Sequence, residues 1–197
     1  RIRAVRRVGK RIAIGVEGNI WLVIHLMIAG RLHWKQGEVK LTSRNMLASF
    51  AFDNGTLLLT EAGTQHRASL TIAEGEDGLR ALDAVGLEVM EADVATFATH
   101  LRAENHTLKR ALTDPRTFSG IGNAYSDEIL HRACLSPIAM TQKLTEDEVA
   151  RLFDATRAVM TEWIDRLREE ADGGFPEKVT AFRKEMAVHG KYNQPCP

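Results

Sequence analysis

The stretch SGIGNAYSDEIL, residues 119 to 130, decides how the second half of the chain is organised. Gly120, Gly122 and Asn123 stand directly before an apolar run with helical spacing. A glycine-rich turn before a helix suits an anion. The N–H groups of the first helical turn are unpaired, and the helix dipole favours negative charge beside them. The same letters also suit an ordinary turn followed by an asparagine cap. The surrounding sequence has to decide between these two interpretations.

Helical spacing of apolar residues begins at about residue 78 and continues through most of the second half. Asp93 is a predicted N-cap, and the helix after Thr107 must end before Pro115 because the residue preceding proline resists the helical conformation. Thr145 and Glu148 form a capping box for the longest helix. The predicted helices cover 93–103, 107–113, 122–134 and 145–172, and residues 74–78 are predicted as a connection.

The first part of the chain has the signals of antiparallel β-structure instead. Residues 11–30 form two β-rich runs joined by Glu17-Gly18-Asn19, and residues 47–60 form another pair around Asp53-Asn54-Gly55. The Asn-Gly pair is a strong hairpin signal. Residues 68–73 favour a further strand, and the basic start of the chain favours a strand or edge with one charged face. We therefore expect an α+β fold in which a partial antiparallel β-sandwich precedes a helical domain.

Composition and charge restrict the classes of function. The 197 residues are 44% hydrophobic and 26% charged, and no apolar run reaches the roughly 20 residues of a membrane span. Cys134 and Cys196 give no disulfide framework, and no signal-peptide pattern opens the chain, so we expect an intracellular protein. The net charge of zero hides a basic segment over 1–45 and an acidic one over 46–106. Such a basic face is either simply solvated or a surface for phosphate contacts.

The motif content indicates one family. The stretch LTDPRTFSGIGNAYSDEILHRACLSP, residues 112 to 137, resembles the helix-two-turns-helix signature of the formamidopyrimidine-DNA glycosylase and endonuclease VIII family. RRVGKRIAI (6–14) and WLVIHLMIAGRL (21–32) resemble two strands of that family, and VHGKYNQPCP (188–197) resembles the entry to its zinc finger. The matching signature positions are Leu112, Asp114, Gly120, Gly122, Asn123, Tyr125 and Glu128.

The resemblance implies a base-excision repair enzyme that flips a damaged base from duplex DNA, cuts the glycosidic bond and nicks the abasic strand. In the family an N-terminal proline amine forms a Schiff base with the sugar, and the following glutamate handles protons. The implied domains are a β-sandwich over 1–90, a helix-two-turns-helix domain over 91–185 and the start of a zinc finger over 186–197. The implied partners are damaged double-stranded DNA and a structural Zn²⁺, and we expect a monomer that does not bind membranes.

The resemblance also assigns individual residues. Lys10 matches the lysine near the lesion phosphate that assists elimination, and His25 matches a histidine on the phosphate side. Asn123 matches the helix-capping asparagine that holds the phosphate beside the flipped nucleotide. The wedge methionine of the family falls at Ile28, with Met27 beside it. The remaining assignments are Tyr125, which could equally be structural, Lys191 at the entry to the finger, and Cys196 as the first of four zinc ligands.

The sequence also departs from the family pattern. It opens with Arg1 rather than Pro-Glu and contains one of the four zinc cysteines, so we expect a fragment that does not catalyse the reaction by itself. The void-filling Arg-Arg-Phe loop is replaced within TEAGTQHRASL (60–70), where Arg67 or His66 could substitute. The sequence leaves two alternatives open: a non-catalytic DNA-binding relative, and an RNA-binding or ribosomal use of the helical motif.

Overall fold

The computed structural model describes residues 1–83, 85–177 and 179–197, and these form two compact units. The first unit comprises Arg1–Leu82 with Arg168–Val179, and the second comprises Asp83–Leu167 with Thr180–Pro197. The strands lie in the first unit and most of the helical residues in the second, which confirms the α+β class. The residues from Arg168, in the last turn of the longest helix, to Val179 are grouped with the first unit, and the domain boundaries after residues 90 and 185 stay a prediction.

The first unit is a sandwich of two antiparallel sheets, as predicted. One sheet has the strand order β1-β2-β3-β7 and the other the order β4-β6-β5. Apolar side chains from both sheets share one core that includes Ile14, Ile24, Leu57 and Leu59. The strands are β1 Ile2–Val8, β2 Arg11–Val16, β3 Ile20–His25, β4 Gly30–Lys35, β5 Met46–Phe52, β6 Gly55–Glu61 and β7 Ser69–Glu74.

Both predicted hairpins are present, whereas the predicted connection over 74–78 is wrong. Gly55 pairs with Phe52 across the turn, and only glycine fits there because a Cβ would lie 2.6 Å from the Trp34 ring. After β7, Gly75 adopts a left-handed φ of 66° and starts a short helix, α1 (Gly75–Arg80). Leu79 of this helix packs against Trp21 on the outer face of the first sheet.

The second unit is built from helices whose buried side chains form one core. Asp93 accepts a hydrogen bond from the Thr96 N–H, and Thr145 and Glu148 form the predicted capping box. No helix among the described residues is long and apolar enough to span a membrane. The helices are α2 Val94–Arg102, α3 Leu108–Thr113, α4 Asn123–Arg132 and α5 Glu146–Ala171, whose last turn is grouped with the first unit. Core members include Phe97, Leu112, Phe118, Ile121, Ile129 and Leu152.

Candidate nucleic-acid interface

The corner between α3 and α4 is fixed from inside by apolar side chains. Phe118 and Ile121 are fully buried, while Gly120 between them has a left-handed φ of 82°. The backbone amides of Thr117 and Phe118 both donate to the Asp114 carbonyl. These anchors turn the chain sharply and leave the start of α4 at the surface.

Asn123 is exposed and is the first residue of α4, so the prediction that it caps the helix is wrong. The N-cap position belongs to Gly122, whose backbone is extended, and no side chain caps the first amides. The structure therefore leaves those amide donors without a side-chain acceptor and places the Asn123 side chain beside them. A phosphate oxygen is the type of acceptor that such a helix start binds.

Lys109 supports this corner, although no sequence pattern points to it. Its ammonium donates to the Asn123 carbonyl at 2.8 Å and to the Ser126 hydroxyl at 2.8 Å. It also forms an ion pair with Asp127 in the second turn of α4. Lys109 thus joins α3 to the first turn of α4, and the Asp127 carboxylate balances its charge. No local sequence pattern identifies Lys109, because its partners lie on another helix.

Asp114 and Arg116 form an ion pair at the base of the corner. Hydrogen bonds from the Arg116 side chain, and then from its backbone amide, lower the pKa of Asp114 to about 2. A carboxylate with a lowered pKa stabilises the fold above its unfolded-state pKa of 3.8, and this contribution disappears as the pH falls towards 2.

Replacing Arg116 with alanine is therefore expected to reduce the pH dependence of the free energy of unfolding at acid pH. Without the guanidinium, the pKa of Asp114 moves back towards 3.8. The loss of stability relative to the wild type should grow between pH 2 and about 4.5 and then stay constant. Urea unfolding at several pH values measures this, and a pH-independent difference would contradict the assignment.

Glu128 is a structural residue of the helical unit. It is 7% exposed, and its carboxylate accepts backbone N–H groups of Ala187 at 2.7 Å, Val188 at 2.9 Å and His189 at 2.9 Å. The adjacent Asp127 contacts the His189 ring nitrogen Nδ1 at 2.8 Å. Helix α4 therefore carries the exposed corner at its start and, one to two turns later, the anchor for residues 187–189.

Tyr125 is partly buried, and its ring meets Trp163 edge to face with centroids 6.0 Å apart. Burial raises the pKa of its phenol. Trp163 is also covered by the guanidinium of Arg166, 4.9 Å from the ring centroid, and by that of Arg183 at 5.9 Å. These contacts favour a packing role for Tyr125 over a direct role in binding DNA.

The carboxyl-terminal segment places Lys191 and Cys196 near the surface. The Lys191 ammonium donates to the Lys184 carbonyl at 3.1 Å, and Cys196 is exposed. No group of three or more His, Cys, Asp or Glu residues suited to a metal ion occurs within 1–83, 85–177 or 179–197. Because structural zinc needs four ligands, Cys196 alone does not make a zinc site.

In the first unit, strand register brings several turns to one end of the sandwich, which we call the Lys10 end. Gly9 and Lys10 form the turn between β1 and β2, where Val8 pairs with Arg11. Arg11 pairs with His25, His25 pairs with Ser69, and Gly30 pairs with Glu61. The β1–β2 turn, the β3–β4 turn and the loop before β7 therefore all lie at this end.

The two titratable residues assigned at the Lys10 end have shifted pKa values. Lys10 is exposed, but protein atoms near its ammonium desolvate it and lower its pKa. Desolvation, followed by the charges of Arg11 and Lys10, lowers the pKa of His25, so its imidazole is neutral at pH 7. A neutral imidazole can donate one hydrogen bond to a phosphate, and an incoming anion would raise its pKa.

Ile28 lies at the tip of the tight turn between β3 and β4 and is 79% exposed. The Gly30 N–H donates to the Leu26 carbonyl at 2.8 Å, and a Cβ on Gly30 would lie 2.3 Å from that oxygen. The Arg31 guanidinium also donates to the Ile28 carbonyl at 3.0 Å. The turn thus holds an apolar side chain in solvent, with the 44% exposed Met27 beside it.

These features define a protein of the helix-two-turns-helix class joined to a β-sandwich. Residues 85–171 match the formamidopyrimidine-DNA glycosylase H2TH domain, and residues 1–65 match the N-terminal domain of the same enzymes. A formamidopyrimidine-DNA glycosylase from Heliobacterium modesticaldum is 32% identical over all of this chain and 73% of its own length. One from Pelotomaculum thermopropionicum is 29% identical, again over 73% of its length.

Solved structures agree with this assignment. The MutM (Fpg) protein of Thermus thermophilus is 29% identical and superposes with a TM-score of 0.81 over all of this chain and 74% of its own. A Lactococcus lactis Fpg in complex with Fapy-dG-containing DNA has the same fold, with a TM-score of 0.82 at 20% identity over 99% of this chain and 72% of its own. The chain belongs to the formamidopyrimidine-DNA glycosylase family, whose members are base-excision DNA glycosylases.

Proposed function

We propose that this chain is the DNA-binding part of a base-excision DNA glycosylase and that each of its units contacts phosphates of a lesion-containing duplex. In the helical unit the contacts are made by Asn123 and the free amides at the start of α4. In the sandwich they are made by Lys10 and His25, with Ile28 as the apolar wedge that fills the gap left by the everted nucleotide.

The observation that carries this proposal is the exposed first turn of α4. Asn123 is exposed to solvent beside the uncapped amides, and a hydrogen bond from Lys109 to the Asn123 carbonyl holds this turn in place. The 112–128 spacing of the family signature is intact around this corner. An exposed side-chain amide beside uncapped N–H groups offers several donors to one phosphate.

The chemical step in the family needs an amine nucleophile, and residues 1–197 open with Arg1-Ile2 rather than Pro-Glu. We infer that these residues bind and position the abasic strand, while Lys10 moves a proton during elimination. The lowered pKa of Lys10 supports this role, because proton transfer is most effective when the pKa approaches the working pH. We further propose that Cys196 is one ligand of a structural zinc whose other ligands lie outside these residues.

Two measurements test the proposed function. Anisotropy titrations with a duplex that carries a tetrahydrofuran abasic analogue should show tighter binding than the undamaged duplex. The affinity should fall steeply with salt because phosphate contacts release counterions. Equal affinity for both duplexes would contradict the proposal.

The second measurement is borohydride trapping on abasic DNA. The product of the complete gene is expected to form a covalent adduct, and residues 1–197 alone are expected to form none. An adduct with residues 1–197 would place the nucleophile among them, whereas no adduct with either protein would favour a non-catalytic DNA-binding relative.

A further inference from the structure

Glu61 is a buried acid that the binding site described above does not use. It ends β6, and it is 1% exposed. One carboxylate oxygen accepts the Arg67 backbone N–H at 3.0 Å, and the other accepts that of Ala68 at 3.0 Å. The hydrogen bond from the Arg67 amide is the largest of the effects that together lower the pKa of Glu61 despite burial, so the carboxylate is ionised at neutral pH.

The segment that Glu61 holds has no apolar anchor of its own. Residues 62–67 are all exposed, and Gly63 adopts a left-handed φ of 106°. Within this loop the Arg67 guanidinium donates to the Gln65 side-chain oxygen at 2.9 Å. The two bonds to Glu61 therefore fix the backbone where the loop enters β7, and Gln65 directs the guanidinium.

The loop also lies where DNA is proposed to bind. Ser69 directly follows the held amides and pairs with His25, while Glu61 pairs with Gly30 at the base of the Ile28 turn. The loop is therefore at the Lys10 end of the sandwich. The planar guanidinium of an arginine at this position has several N–H donors, which can bind a phosphate or the edge of a guanine base.

From this arrangement we propose that Glu61 is a positioning residue for lesion recognition, which holds the 62–68 loop so that Arg67 contacts the duplex. The inference rests on the proposed function. Its physical basis is preorganisation: a loop already ordered by a buried acid loses less conformational entropy when the duplex binds. Arg67 is the contact residue because it carries the permanent positive charge of this exposed loop and because Glu61 holds its backbone amide.

A double-mutant cycle on the purified protein tests this coupling. Glu61→Gln keeps the size of the side chain but replaces one acceptor oxygen with an NH₂ group that faces a backbone N–H. We expect about tenfold weaker binding to the tetrahydrofuran duplex in the wild-type background and less than about twofold in an Arg67→Ala background. Hydrogen exchange at the amides of Arg67 and Ala68 should accelerate in Glu61→Gln.

The controls distinguish a failure of the positioning role of Glu61 from a failure of the proposed function. Glu61→Asp retains both acceptor oxygens, so it should recover part of the affinity lost in Glu61→Gln. An equal loss in both backgrounds, or no loss in either, would overturn the inference. If the wild type failed to prefer the abasic duplex, the proposed function itself would fail. If that preference persisted and depended on Asn123 but not on Glu61, the positioning role alone would be rejected.

Discussion

Replacing Asn123 with aspartate is expected to weaken binding to an abasic-site duplex by about 100-fold without destabilising the protein. The variant loses an amide donor to a phosphate, worth about 1.5–3 kcal/mol, and places a like charge beside it. The same carboxylate stands at the start of α4, where the helix dipole favours negative charge by about 0.3–1 kcal/mol. Binding and stability should therefore change in opposite directions, which a general loss of folding cannot produce.

The matched control is Asn54→Asp. Asn54 is exposed in the β5–β6 turn, at the opposite end of the sandwich from Lys10, and the substitution changes the net charge equally. Anisotropy titrations at constant salt and thermal unfolding measure the two effects. If both aspartate variants bound the duplex equally well, no phosphate would lie at the start of α4.

Replacing Glu128 with alanine is expected to lower the free energy of unfolding by about 3 kcal/mol or more. Three backbone N–H groups, on Ala187, Val188 and His189, would lose their acceptor, and each unsatisfied donor costs about 1–3 kcal/mol. Water would relieve part of this cost because the three residues are only partly buried. Urea unfolding measures the change.

Hydrogen exchange then locates the effect of the Glu128 substitution. The amides of residues 187–189 should lose protection first in Glu128→Ala, while those in the core of α5 change only with global stability. Glu162→Ala is the control, since this exposed residue pairs with Arg132 at the surface and should cost less than about 1 kcal/mol. A Glu128→Ala protein as stable as the control would mean that the segment does not depend on this carboxylate.

Local patterns in the sequence predicted most of the elements. The capping box at Thr145, the cap at Asp93 and the hairpin at Asp53-Asn54 each depend on residues a few positions apart, so sequence spacing contains the information. Helix α1 was missed because its glycines and acids resemble a connection, whereas the contacts that favour it, such as packing of Leu79 with Trp21 and the Arg6–Glu76 ion pair, come from distant strands.

The candidate site was predicted less completely, for a physical reason. The residues with family counterparts, such as Asn123, were assigned by resemblance alone, and their roles stay predictions. Glu61 and Glu128 bind backbone amides, and since every residue except proline carries one, no side-chain pattern identifies such partners. Lys109 was missed because it meets α4 only through tertiary packing.

The packing around Trp163 offers an intrinsic fluorescent probe. Its indole contacts Tyr125 on α4 and the guanidinium of Arg183, a residue just before those that Glu128 anchors. The other two tryptophans, Trp21 and Trp34, belong to the sandwich strands. In a protein where both are phenylalanine, the emission wavelength of the remaining indole would follow the detachment of the carboxyl-terminal segment in real time, without a label.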